Sequence, residues 1–228
     1  MSAVAIGVDI GTSGARAAAI GEDGQSVGLV AVHFETAVQM RDPKAWLDAT
    51  AQAIAELGVN IDLSRARSLA VAGTSGSVLA VDRSLQPLGA PLMYADPVND
   101  PAVLERIDAV APKDSPARGA NSALARAVVL SRSARTAHVL HQADFVLAHL
   151  AGGVLPSDET NALKTGYDPV AHCWGQWIGA AGMNPALLPD VRPAGMPLAE
   201  CGAWGRELGL PNLSLIHISE PTRLRRTS

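Results

Sequence analysis

An acidic residue and a glycine-rich turn near the amino terminus have the chemistry to hold a phosphate group and a metal ion. Residues 4–16 read Val-Ala-Ile-Gly-Val-Asp-Ile-Gly-Thr-Ser-Gly-Ala-Arg, an apolar strand that leads through Asp9 into a Gly-Thr-Ser-Gly turn. The glycines allow a sharp bend and a close ligand approach, while backbone N–H groups and the Thr12 and Ser13 hydroxyls can surround phosphate oxygens. Asp9 cannot bind phosphate directly, so beside one it would hold Mg2+ through oxygen or water.

The same pattern also fits an ordinary hairpin with a glycine and serine turn. Short motifs match many sequences by chance, so Asp-x-Gly-Thr alone favours the ordinary hairpin. Downstream motifs reverse that choice. Another apolar strand runs into Gly73-Thr74-Ser75-Gly76, and Tyr94-Ala95-Asp96 ends a further apolar piece. Hydroxyl and carboxyl side chains therefore recur at predicted strand ends.

The elements that would position these residues alternate strands with helices. The first three strands are predicted to form an antiparallel meander, and Asp42 with Pro43 is predicted to cap a helix that ends at Gly58. Strands with interspersed helices indicate an α/β domain. The predicted strands are Val4–Val8, Ala15–Ile20, Val27–Phe34, Ser68–Ala72 and Val78–Val81. The later predicted helices open at Asp100 and cover Ser122–Arg135 and His138–Leu150, as a helical excursion.

Composition excludes several classes of protein. With 228 residues, 48% of them hydrophobic, the chain can bury one good-sized core. A net charge of -4 argues against a nucleic-acid surface, and no apolar run reaches the ~18 residues of a membrane span. Cys173 and Cys201 form no metal or disulfide pattern and suit reduced thiols. Because the first residues also lack a basic signal-peptide region, we expect a soluble cytoplasmic protein.

Four motifs in this order resemble the N-terminal domain of FGGY-type carbohydrate kinases. They are the first hairpin, the turn at residues 73–77, the strand end at 94–96 and Ser-Asp-Glu-Thr-Asn-Ala at 157–162. The resemblance covers Ala3 to Pro211 and implies a ribonuclease H-like, actin-like ATPase fold, with a mixed sheet, flanking helices and a helical insertion. Within the family, the segments at residues 73–79 and 157–164 look most like the ribulokinase and xylulokinase branch. Glycerol kinases usually carry Arg-Glu where Ser75 and Gly76 stand, so glycerol is a weaker expectation.

The resemblance implies a role for each matching residue. Phosphoryl transfer depends mainly on positioning and charge neutralisation, which a cation and backbone donors can supply. Taken alone, Ser75 and Asp96 fit a turn serine and a capping aspartate better than sugar ligands. Val98 departs from the family, in which an arginine often stands there. The implied sites are Gly11, Thr12, Ser13 and Arg16 for the ATP phosphates, Asp9 for Mg2+, and Ser75, Gly76 and Asp96 for the sugar.

The end of the chain departs from the family more strongly. In these kinases the general base is an aspartate in a glycine-rich element just beyond a Gly-Leu-Pro segment. Here Gly209-Leu210-Pro211 is followed by an arginine-rich end that resembles an adapter-derived translation. We therefore expect a kinase N-terminal domain over residues 1–211, a foreign tail over 212–228, and no second kinase domain. Asp158 is the fallback base, although Asp158-x-Thr-Asn better fits a local turn.

Two other sets of polar residues have simpler interpretations than binding sites. His138, His141 and Asp144 share helical spacing and could bind a metal, but a helix surface is the favoured interpretation. Four arginines suit solvated helix charges better than a ligand patch, because the chain is acidic overall. These arginines are Arg118, Arg126, Arg132 and Arg135.

The leading hypothesis is an ATP- and Mg2+-dependent kinase of a small sugar, with a ketopentose such as ribulose or xylulose preferred. Because the expected base and second domain are missing, we expect the chain to be inactive alone. An actin-like nucleotide-binding scaffold that binds no sugar explains the hairpin equally well, and an unfolded fragment is a third possibility. The expected partner is a small-molecule sugar, with no nucleic acid or membrane; a homodimer is left open.

Overall fold

The chain folds around one six-stranded mixed sheet with helices packed against it. The computed structural model describes residues 4–217. Its strands are β1 (Val4–Ile10), β2 (Gly14–Gly21), β3 (Ser26–His33), β4 (Ala66–Gly73), β5 (Val78–Val81), β6 (His138–His141), β7 (Ser157–Asp158), β8 (Tyr167–Asp168), β9 (Cys173–Trp174), β10 (Val191–Arg192), β11 (Pro197–Glu200) and β12 (Ser214–His217). Its α-helices are α1 (Pro43–Asn60), α2 (Pro101–Val110), α3 (Ala123–Leu130), α4 (Gln142–Ala151), α5 (Glu159–Leu163) and α6 (Ala203–Glu207).

The spatial order of the main sheet is β11-β12-β4-β1-β2-β3. β1, β2 and β3 form the predicted antiparallel meander, whereas β4 runs parallel to β1 and β12 runs parallel to β4. Apolar side chains alternate along β1, so Ile6, Val8 and Ile10 are buried on one face of the sheet. The strands that carry the predicted site residues therefore lie at the centre of the sheet.

Helix α1 begins as predicted and continues past the predicted end. The Asp42 carboxylate accepts a hydrogen bond of 2.9 Å from the Lys44 N–H, and Pro43 occupies the first helical position. The helix continues through Gly58 to Asn60. One face buries Trp46 and Ile54 against the main sheet. Gly58, Val59 and Asn60 are exposed, so the last turn is helical without packing on the core and Gly58 does not end the helix.

Replacing Asp42 by alanine should lower the free energy of unfolding by about 1 kcal/mol, because the Lys44 N–H loses its acceptor. Urea denaturation with an unchanged m-value would measure the shift. Asp48→Ala is the matched control. It removes a carboxylate from the same helix, where Asp48 makes an exposed ion pair with Lys44, and should cost at most about 0.5 kcal/mol. Equal effects of the two substitutions would contradict the capping role.

The predicted helical insertion differs from the structure at two points. Residues 138–141 form β6, antiparallel to β5, and only the following residues form α4. A short apolar run fits a strand or a buried helix equally well, and pairing with β5 decides the outcome here. α3 also ends at Leu130, five residues earlier than predicted. α2 and α3 enclose a second core, which contains Ile107, Leu124 and Ile178.

Strand β12 brings a histidine between two buried carboxylates. His217 Nε2 lies 2.6 Å from Asp144 Oδ1, and His217 Nδ1 lies 2.6 Å from Asp158 Oδ2. All three side chains are at most 2% exposed. Burial alone would lower the pKa of His217, but hydrogen bonds to both carboxylates outweigh burial and raise the pKa to about 9. We call this group the His217 cluster.

Residues 214–217 belong to the segment whose composition predicts a foreign tail, yet they occupy a sheet position beside β4. Leu213 and Leu215 are buried there, so an alternating apolar stretch completes the sheet whatever its origin. The remaining predicted tail, residues 218–228, lies outside the described residues. No helix within residues 4–217 has the length and apolar character needed to cross a bilayer.

Candidate active site

Two turns of identical sequence lie side by side at the carboxyl ends of two neighbouring central strands. Residues 11–14 and 73–76 both read Gly-Thr-Ser-Gly. They follow β1 and β4, which are parallel neighbours with Ile10 opposite Gly73. The Thr74 hydroxyl donates a hydrogen bond of 3.3 Å to the carbonyl oxygen of Ile10, which ties the second turn to the start of the first. The phosphate turn and the sugar turn predicted from the sequence are therefore adjacent.

The first turn presents its polar groups to solvent. Its ends are joined by a 2.9 Å hydrogen bond from the Gly11 N–H to the Gly14 carbonyl oxygen. The side chains of Thr12 and Ser13 are exposed. Gly14 has a φ of 144°, and a Cβ there would overlap the Val32 carbonyl oxygen, so β3 leaves room only for glycine. The turn thus packs against β3 at Gly14, and its Thr12 and Ser13 side chains are accessible to a phosphate group from the solvent.

Asp9 and Arg16 stand opposite each other at the base of this turn. They are cross-strand partners in β1 and β2, with Asp9 Oδ2 and Arg16 Nη1 3.7 Å apart. Their side chains are 54% and 57% exposed, so the ion pair is accessible to solvent. A carboxylate in this position suits Mg2+ that completes its shell with water and nucleotide phosphates. The described residues contain no cluster of three or more histidine, cysteine or acidic residues that could hold a metal alone.

The second turn lines a cavity of about 280 Å³. The Oγ atom of Ser75 is buried and has no hydrogen-bond partner among the described residues. A buried hydroxyl without a partner is uncommon in folded proteins and marks a place where a polar ligand fits. The cavity is lined by Ser75, Gly76, Tyr94, Pro116, Asn121, Ser122, Ala123, Arg126 and Lys164. The predicted roles of Ser75 and Gly76 thus fall on one hollow beside the phosphate turn.

Arg126 holds the walls of this cavity together. It is 1% exposed, so its interpretation as a solvated helix charge is wrong, and burial lowers the pKa of its guanidinium. Its Nε donates to the carbonyl oxygen of Gly76 at 3.2 Å. Its two Nη atoms donate to the carbonyl oxygens of Tyr94, Asp96 and Asn121 at 3.2, 2.9 and 3.0 Å. The guanidinium thereby joins three segments that are distant in sequence.

The carboxylate of Asp96 is engaged outside the cavity. Arg41 binds it with two hydrogen bonds of 2.5 and 2.6 Å, and the Met93 N–H donates to it at 2.8 Å. These bonds, the one from Arg41 first, hold the pKa of Asp96 below its usual range. Asp96 is absent from the described residues that line the cavity. In this arrangement its backbone carbonyl, bound to Arg126, supports the cavity wall.

Asp158 caps a helix inside the protein. It is fully buried and accepts hydrogen bonds from the backbone N–H groups of Thr160 and Asn161 at 2.7 and 3.0 Å. This geometry matches the local-turn interpretation. Asp158 also belongs to the His217 cluster and is not among the described residues that line the cavity.

The favoured interpretation of His138, His141 and Asp144 as a helix surface is wrong, because β6 contains both histidines and because His141 and Asp144 are buried. His141 Nε2 lies 3.1 Å from the Thr165 hydroxyl, and burial lowers the pKa of His141. Asp144 is bound by His217 and Ser157. The structure therefore assigns Asp144 to the His217 cluster rather than to a metal site.

Sequence reasoning missed two cationic residues of the cavity. Arg126 interrupts the apolar run Ala-Leu-Ala-Arg-Ala-Val-Val, and a lone charge in such a run is a signal of a buried, hydrogen-bonded group. Lys164 directly follows α5 and closes the motif that begins at Ser157. Because Lys164 and Ser75 are far apart in sequence, their proximity could not be predicted from the sequence alone.

Known proteins with related sequences and folds are carbohydrate kinases. No family model matches the chain. A xylulose kinase of Klebsiella pneumoniae is 33% identical over 99 residues, which cover 40% of this chain and 20% of that protein. A gluconate kinase from Lactobacillus acidophilus has a TM-score of 0.81 at 16% identity, covering 96% of this chain and 48% of its own.

Two further solved structures agree. A ligand-bound xylulose kinase from Lactobacillus acidophilus has a TM-score of 0.79 at 16% identity and covers 95% of this chain. A Plasmodium falciparum glycerol kinase with ADP has a TM-score of 0.75 at 14% identity and covers 96%. The chain spans 48% of the length of each. These comparisons confirm the predicted fold class and the resemblance to carbohydrate kinases.

Proposed function

We propose that this chain, related in sequence and fold to carbohydrate kinases, is the N-terminal domain of a cytoplasmic enzyme that transfers the γ-phosphoryl group of ATP to a small sugar. The observation that carries the proposal is the adjacency of the two Gly-Thr-Ser-Gly turns. One is exposed and suited to phosphate, and the other lines a cavity to which the Ser75 hydroxyl, unpartnered among residues 4–217, and the side chain of Lys164 contribute polar groups. A donor and an acceptor bound at these two places would be neighbours, as phosphoryl transfer requires.

The residues of the first turn would bind the nucleotide. Backbone groups of Gly11 and the hydroxyls of Thr12 and Ser13 would face the β and γ phosphates, with Arg16 adding positive charge. Asp9 would hold Mg2+, whose chemistry is to neutralise charge on the phosphate oxygens during transfer. The ADP-containing glycerol kinase among the structural neighbours supports a nucleotide at this fold.

The sugar would occupy the cavity beside Ser75 and Gly76. A ketopentose, ribulose or xylulose, is the preferred substrate, supported by the sequence similarity to xylulose kinase. The domain would comprise residues 1–211 together with β12, which pairs with β4 in the main sheet. The general base and the domain that closes over ATP would come from elsewhere in the intact enzyme. On this proposal the chain alone binds its ligands and does not turn them over.

The proposal is tested by a coupled ADP-release assay on the chain joined to its genomic downstream sequence, with a panel of ketoses and polyols. Release of ADP that depends on a ketopentose is expected. ATP hydrolysis at the same rate with and without sugar would favour the actin-like scaffold and overturn the kinase.

A second measurement examines the phosphate turn directly. In the chain joined to its downstream sequence, Asp9→Ala is expected to reduce the rate of transfer by roughly 100-fold, because the carboxylate that would hold Mg2+ beside the phosphates is lost. It should also weaken Mg2+-ATP binding in calorimetry. The control is Asp23→Ala, which removes an exposed carboxylate from the next turn of the meander. Unchanged nucleotide binding in Asp9→Ala would contradict the assignment of this turn.

A further inference from the structure

We propose that Lys164 is a direct ligand of the sugar and donates hydrogen bonds from its ammonium group to substrate hydroxyl oxygens. This inference rests on the proposed function of the cavity and gives a role to Lys164, the last residue of the motif that begins at Ser157, to which the resemblance assigned none. It also names the group that is recognised, a hydroxyl-bearing face of the sugar.

The position of Lys164 is fixed by the end of α5. It is the residue that ends this helix, and its backbone N–H donates to the carbonyl oxygen of Asn161 at 3.2 Å. Its stem passes over the second turn, because a Cβ built on Gly76 would lie 3.7 Å from Lys164 Cδ. The side chain is half-buried and lines the cavity together with Ser75.

The ammonium group of Lys164 lacks a protein partner in the described part of the chain. No hydrogen bond or ion pair within residues 4–217 involves it, whereas Lys44 is paired with Asp48. The Ser75 hydroxyl, on the same cavity, is likewise without a partner there. An ammonium group has three donors, and a hydroxyl both donates and accepts. Two such groups facing one hollow are complementary to a ligand that carries several hydroxyls.

The surroundings of Lys164 explain why its ammonium group is suited to bind a ligand. Burial, and then the charge of Arg126, lower the pKa of Lys164. The donors of Arg126 are already bound to backbone carbonyls. Of these two cations, Lys164 is therefore the one whose N–H groups can donate hydrogen bonds to a sugar. Because only the charged form offers three donors, binding should weaken as the pH rises through this lowered pKa.

The experiment uses the three lysines of the chain, Lys44, Lys113 and Lys164. Incorporation of lysine labelled with 13C at Cε gives each lysine its own NMR signal and leaves the ammonium group unmodified. Titration with xylulose and ribulose is expected to shift the Lys164 signal and leave the Lys113 signal in place. The same spectra followed against pH report the lowered pKa of Lys164. Xylulose binding that calorimetry detects, without a shift at Lys164, would overturn the proposal.

Variants separate a ligand from a structural residue. Lys164→Met is expected to weaken ketopentose binding by about 10- to 100-fold, with the melting temperature nearly unchanged and with partial recovery in Lys164→Arg. Lys113→Met is the matched control, because Lys113 is exposed and outside the cavity. Equal affinity of the wild-type chain and Lys164→Met would contradict the role of Lys164. If none of the ketoses and polyols in the panel bound the wild-type chain, the proposed function of the cavity would be overturned instead.

Discussion

Replacing His217 by alanine is expected to destabilise the chain by about 3–5 kcal/mol, because two buried carboxylates lose the cation between them. Asp144 and Asp158 both lie 2.6 Å from the His217 ring nitrogens, and no atom of the three side chains is substantially exposed. Breaking a buried ion pair costs more than the pair contributes, since an uncompensated charge remains in the protein interior. Chemical denaturation would measure the loss.

The stability contributed by the His217 cluster should also depend on pH in a defined direction. The folded-state pKa of His217, about 9, lies above the ordinary histidine value of roughly 6.5. The contribution is therefore fully present below about pH 6.5 and is lost as the pH rises through about 9, with a total of about 3 kcal/mol. Denaturation midpoints between pH 6 and 10 should fall in the wild-type chain and remain nearly flat in His217→Ala.

Two controls distinguish this cluster from a general effect of removing histidine. His172 makes an exposed contact of 3.4 Å with Glu159, so His172→Asn should change stability by less than about 1 kcal/mol. The triple variant Asp144→Asn, Asp158→Asn, His217→Ala removes both charges with the histidine. It should recover much of the loss, because no buried charge remains. A triple variant less stable than His217→Ala would contradict this electrostatic account.

Arg126→Ala is expected to have a destabilising effect of similar size, about 3–5 kcal/mol. The substitution removes a buried guanidinium and leaves the carbonyl oxygens of Gly76, Tyr94, Asp96 and Asn121 without their donor. Because these carbonyls belong to the cavity walls, sugar affinity should fall as well. Denaturation and calorimetry with xylulose would measure the two effects.

Arg132→Ala is the matched control for Arg126, because Arg132 lies beyond the end of α3 and makes an ion pair with Asp100. Its side chain is 56% exposed, so its removal should cost no more than about 1 kcal/mol. Arg126→Lys keeps the charge but cannot reach four acceptors, and an intermediate stability is expected. If Arg126→Ala were as stable as Arg132→Ala, the central role of Arg126 would be wrong.

Local signals in the sequence predicted much of the fold. The glycine-rich turns and alternating apolar residues located β1 to β4, and Asp42 with Pro43 located the start of α1. The strand β6 was missed because four apolar-rich residues carry no decisive period, and pairing with β5, nearly sixty residues earlier, determines their structure. Non-local pairing of this kind has no signature within the segment itself.

Only part of the candidate site was predicted, because the rest of it also depends on contacts between segments distant in sequence. Asp9 lies near the end of β1, and the first turn, Ser75 and Gly76 follow β1 and β4, so the parallel pairing of these strands brings them together. Arg126 and Lys164 reach that edge from helices far along the chain, and only tertiary packing shows their proximity. The pairing of Asp96 with Arg41 likewise depends on two segments whose sequences contain no hint of each other.

Because β1 and β4 pair in parallel, the spacing of the two turns and the lining of the cavity are determined by different parts of the chain. The spacing between the two Gly-Thr-Ser-Gly turns is set by backbone pairing, whereas most of the cavity wall comes from side chains on later helices and loops. On the proposed function, substitutions in those later segments would change which sugar the cavity accepts, while the spacing between the phosphate turn and the sugar turn would stay the same.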